Sequence, residues 1–174
     1  VCVVLGELAT FDPGGNWANR PINSIVTILL PWLPQTMGDV KKREVAANTL
    51  YRECPDIAWD ALLKLLPDTY SSSSGRYKPK WRQHISSDWE KGVSTEEYWQ
   101  QVSAYANLLL EAAENNIARL VQLVESLDKL PASAFNSFLE LVSSPSITSL
   151  PESEYAPLWR SLTAFTQKHK RFHE

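Results

Sequence analysis

The chain has 174 residues, 44% of them apolar, and a formal net charge of −3. That length accommodates one domain or a stack of repeats around a real core, and the apolar share excludes wholesale disorder. The small charge supplies no global field for nucleic acid or membrane surfaces, and the apolar runs, about ten residues long and broken by proline, fall short of the roughly 20 that a membrane span needs.

Val1 to Phe11 reads as the end of a short apolar helix. Asp12-Pro13-Gly14-Gly15 stops it, because proline lacks the N–H and glycine accepts positive φ. In the following run, NRPINSIVTILLPWLPQT, prolines stand at 21, 31 and 34. Pro21 predicts an extended approach, with Asn23 or Ser24 capping a helix of about two turns. Ile25, Ile28, Leu29 and Trp32 fall at helical spacing, and Val26 and Leu30 are apolar too. A helix apolar nearly all round is expected to lie between neighbours, here with Ile28, Leu29 and Trp32 buried against the first helix and the hairpin that follows.

That hairpin pairs a helix over about 39–53 with one over about 56–66, around Pro55. Val40, Ala47, Leu50 and Cys54 mark the inner face of its first arm, and Lys41, Lys42, Arg43 and Glu44 read as mostly solvated. Ile57, Trp59, Leu62, Leu63 and Leu66 mark the second. The serine tract 71–74 and the run RYKPKWRQH at 76–84 form an irregular stretch with, at most, a weak strand pattern. Ser94 and Glu97 make a capping box. Tyr98, Val102, Tyr105, Leu109, Ala113, Leu120, Val124 and Leu127 then continue at helical spacing, as one helix or as two broken at Asn115-Asn116. Pro131 opens a helix with Phe135, Phe138, Leu139 and Val142. A polar loop precedes a last helix with a seam of Tyr155, Leu158, Leu162, Phe165, His169 and Phe172.

Paired helices with short turns predict an all-α fold, an irregular helical array of the α-solenoid-like kind with degenerate repeats. The chain divides into a helical hairpin part at 1–66, an irregular loop at 67–93 and a helical part at 94–174. Both ends look cut, so the chain is expected to be a fragment of a longer protein. The faces at Val3 to Leu8 and at Leu162 to Phe172 would then pack on further helical units. Cys2 and Cys54 sit in no CxxC pattern and read as small buried hydrophobes in a reducing compartment.

The strings DPGGNWANRPINSIVTILLPWLPQT, CPDIAWDALLKLLPD, KPKWRQ and LWRSLTAFTQKHKRF together carry a resemblance. Over roughly 5–172 the chain resembles a segment of the C-terminal helical region of very large bacterial proteins with STAND-type NTPase modules, the antiviral Avs-like defence proteins. The resemblance implies a cytoplasmic array that senses a partner, with the NTPase and effector modules N-terminal to it. No GxxxxGK[ST] phosphate loop occurs, and Gly14-Gly15 lacks the following Lys and Ser or Thr. No catalytic residue, cofactor site or metal site is therefore assigned, and the expected function is a non-catalytic scaffold or sensor that recognises protein.

Two surface candidates stand out. Arg76, Lys78, Lys80 and Arg82 alternate with Tyr77 and Trp81, a pattern suited to phosphate contact and base stacking in a nucleic-acid-binding module. The plainer reading is a solvated loop anchored by its aromatics. Asn16, Trp17, Asn19 and Arg20 form a polar, aromatic loop that reads as a recognition loop, or as side chains that satisfy free backbone groups. His84 with Asp88 and Glu90 lacks a positioned nucleophile. His169 and His173, with Glu174, have metal-ligand spacing, but Lys168, Lys170 and Arg171 would repel a cation, so a basic last turn complementing the helix dipole is the better account.

Overall fold

A computed structural model describes residues 1–68 and 92–170. The described residues are all-helical, without strand. The expected weak strand at 76–87 and most of the loop at 67–93 lie outside them. Contacts divide the chain into two compact units, Val1–Tyr105 and Ala106–Glu174.

The first unit holds α1 (Cys2–Thr10), α2 (Pro21–Leu29), α3 (Val40–Glu53), α4 (Pro55–Leu65) and the beginning of α5 (Thr95–Ala113). α1 packs on α2, α3 and α4, and α4 also receives α2 and α3. Ile25, Leu29, Leu50, Leu62 and Leu65 form the closed centre. Gly6 lets α1 approach α3: a Cβ there would stand 2.7 Å from Leu50 Cδ1 and 3.0 Å from Cys54 Sγ. A mid-helix glycine costs roughly 0.5–1 kcal/mol against alanine, and close packing on Leu50 offsets it. Cys2 and Cys54 are free and buried, and burial pushes both thiols up, for Cys54 with help from Glu7 and Glu53.

Of the prolines around α2, Pro31 and Pro34 bound a short helix as expected, whereas Pro21 acts differently. Pro21 is the first helical residue, and neither Asn23 nor Ser24 caps the helix; both lie in its first turn. Proline at that position loses no hydrogen bond and has the right φ already, and the helix starts there without a side-chain cap. At the other end, Pro31 and Pro34 are buried where continuation would need an N–H they lack. Two late carbonyls of α2 find donors elsewhere: Gln35 N donates to Thr27 O at 3.0 Å, and Tyr105 Oη donates to Leu29 O at 2.8 Å. Burial holds the Tyr105 phenol well above its usual range. Leu29 is buried as expected, but Ile28 and Trp32 are only half-buried. Ile22 and Ile25 take the inward positions instead.

α3 and α4 share Cys54, which ends the one and precedes the other, so the hairpin turn is a single residue before Pro55. Asp39 Oδ1 accepts the Lys42 amide at 2.8 Å and caps α3. Val40, Ala47, Leu50 and Cys54 are buried, matching the predicted face. Arg43 is not solvated: it is only 6% exposed. Its Nε donates to Gln101 Oε1 at 2.9 Å and its Nη1 to Gly38 O at 2.7 Å. Gln101 is fully buried, and its Nε2 has no hydrogen-bond partner among the described residues.

The Ser94–Glu97 capping box forms as predicted: Glu97 N donates to Ser94 Oγ at 3.2 Å and Ser94 N to Glu97 Oε2 at 3.1 Å. The second unit contains the end of α5, then α6 (Ile117–Val124), a 3₁₀ turn at Leu127–Lys129, α7 (Ala132–Val142), α8 (Pro145–Thr148) and α9 (Glu152–Lys170). The stretch 94–130 is thus two helices plus a short turn. Asn116 Oδ1 accepts the Arg119 amide at 3.1 Å and starts α6, while Arg119 Nη1 donates to Ala112 O at 3.0 Å near the end of α5. Val102, Tyr105, Leu109, Ala113, Leu120, Val124 and Leu127 are all buried.

In α7, Ala134, Phe138 and Val142 point inward, whereas Leu139 is 42% exposed. Steps of four residues from 134 to 138 to 142 define the inner stripe, and Leu139 falls beside it. The polar loop contains α8, anchored by buried Ile147. α9 packs on α6, yet of its seam only Leu158 is fully buried; Tyr155, Leu162, Phe165 and His169 are half-buried. Phe172 lies outside the described residues.

Candidate recognition surface

The face of α1 turned away from the core is mostly apolar, its polar positions being Glu7 and Thr10, both exposed. Cys2 and Gly6 face inward, one turn apart. Val4, Leu8 and Phe11 follow the complementary i, i+4, i+7 positions and are 58%, 54% and 86% exposed, with Val1 at the head of the row. A helix that is apolar on both sides ordinarily has neighbours on both. Among the described residues, α1 has its neighbours on one.

Phe11 leads directly into a loop with an internal brace. Asp12 Oδ2 accepts from Arg20 Nε at 2.8 Å, and Asp12 Oδ1 accepts the Gly14 amide at 3.0 Å. Arg20 Nη1 donates to Gly15 O at 3.2 Å. Asn23 Nδ2 donates to the carbonyls of Ala18 and Trp17 at 3.2 and 3.4 Å. Gly14 and Gly15 have φ of +87° and +98°, which an L side chain would strain to adopt. A Cβ on Gly15 would meet the Trp17 indole only at ordinary contact distance, 3.5 Å from its Cδ1, so the positive φ and not crowding calls for glycine there. Trp17 remains 75% exposed, and Asn16 and Asn19 are exposed beside it.

Of the four loop residues singled out in the sequence, Arg20 builds the brace, Trp17 is displayed by it, and Asn16 and Asn19 make its outer surface. Asp12 and Asn23 also belong to this loop. The sequence read Asp12 only as part of a helix stop and Asn23 as a cap. The Asx spacing Asp12-x-Gly14 is the signal that was available for the first of them. Arg76, Tyr77, Lys78, Lys80, Trp81 and Arg82 lie outside the described residues, as do His84, Asp88, Glu90, His173 and Glu174. His169 lies against Phe165 with ring centroids 4.2 Å apart and the rings tilted by 41°, and its Nε2 is buried without a partner among the described residues. Among the described residues, no group of three or more His, Cys, Asp or Glu could hold a metal ion. No described helix is long and apolar enough to cross a membrane.

The Arg20 guanidinium, then the Gly14 amide, hold the Asp12 carboxyl below its ordinary range. A depressed carboxyl supports the loop above its unfolded pKa, about 3.9. That support is lost as the pH falls through the lower, folded value. The Arg20 Nε–H and Trp17 indole signals in NMR spectra are therefore expected to hold still near neutrality and to move together below about pH 4. Asp12→Asn should show the shifted positions already at neutral pH. Unchanged signals in that variant would mean that the pair does not set the loop.

Comparison with known protein families, with curated proteins and with solved structures gives no match.

Proposed function

We propose that this chain is a non-catalytic scaffold or sensor segment that recognises protein through the outer face of α1 and the Trp17 loop. The observation that carries the reading is the row Val4, Leu8, Phe11, exposed on a helix whose opposite face is already packed. Contiguous exposed apolar side chains of this kind mark contact surfaces. Trp17 adds a large, stiff anchor on a loop ordered before any partner arrives, which lowers the entropy cost of binding. In this reading the helices belong to an irregular, α-solenoid-like array with degenerate repeats. The one-residue hairpin of α3 and α4 is the element that most supports it. The larger protein is of the STAND NTPase-associated antiviral defence kind, bacterial and cytoplasmic, as the sequence resemblance implies. The partner is either a neighbouring helical unit of the same longer chain or a foreign protein.

A surface role separates binding from stability. Leu8→Lys with Phe11→Lys should change the unfolding free energy by less than about 0.5 kcal/mol, since both sites are exposed. The same pair should strip proteins that co-purify with the full-length parent from its source cell. An unchanged co-purification profile together with unchanged stability would overturn the assignment. Salt-dependent oligonucleotide binding that the Leu8 and Phe11 pair leaves unchanged would favour the nucleic-acid alternative, which rests on Arg76, Lys78, Lys80 and Arg82.

A further inference from the structure

We draw no further inference here: the strongest candidate, the cleft of the first unit between Trp32 and the start of α5, brings together Trp32 and Tyr98, but its carboxylate, Asp68, is already engaged, its helix end is capped by Ser94 and Glu97 of the chain itself, and nothing in the structure shows what would fill it.

Discussion

Phe138→Ala is expected to cost about 3–5 kcal/mol, the loss typical of a fully enclosed phenylalanine that leaves a cavity. Phe138 has no exposed surface and sits at the middle of the Ala134, Phe138, Val142 stripe of α7. A whole domain is stable by only about 5–15 kcal/mol, so this one change would remove a large part of the margin. Leu139→Ala is the built-in control. It deletes a residue of similar character one position away, but from an exposed site, and should cost less than about 1 kcal/mol. Urea titrations followed by the helical signal at 222 nm would compare the two. Similar losses would mean that α7 is rotated from the face described.

Arg43→Leu is expected to cost about 2–6 kcal/mol, taking about 1–3 for each of two acceptors it abandons. Those acceptors are Gln101 Oε1, in a side chain that is fully buried, and Gly38 O. With Arg43 gone, both ends of the Gln101 amide would be unpaired, because its Nε2 already lacks a partner among the described residues. Adding Gln101→Leu removes the orphaned amide and should restore the Gln101 share of the loss, since replacing both partners of a buried hydrogen bond by apolar groups is often close to neutral, while the Gly38 O share remains. Additive losses in the double variant, again by urea titration, would contradict a direct Arg43–Gln101 dependence.

The two substitutions mark where sequence reasoning succeeds and where it stops. The run from Tyr98 to Leu127 was legible because helical period is a local property, and every position on that seam is buried except Tyr98, which is half-buried. The capping box at Ser94 and Glu97 was legible for the same reason, its bonds spanning three residues. Arg43 was not, because the acceptor that draws it inward lies 58 positions away on another helix. Leu139 was misread because two adjacent apolar residues cannot both lie on one narrow stripe, and the sequence does not say which will win. The loop at 12–20 was half legible. Its glycines and Arg20 stood out, but the pairing with Asp12 depends on how the turn closes. Least legible was the outer side of α1. An apolar helix tells the reader that it wants neighbours, not which of its faces will find them.

Site-specific photocrosslinking in the source cell tests the recognition reading most directly. A benzoylphenylalanine placed at Leu8 or at Trp17 is expected to form adducts with a defined protein segment, either elsewhere in the same longer chain or in a foreign protein. The same probe at Glu140, exposed on α7, supplies the background. Adducts at Leu8 and Trp17 no more abundant than at Glu140, or adducts to nucleic acid alone, would contradict protein recognition by this face.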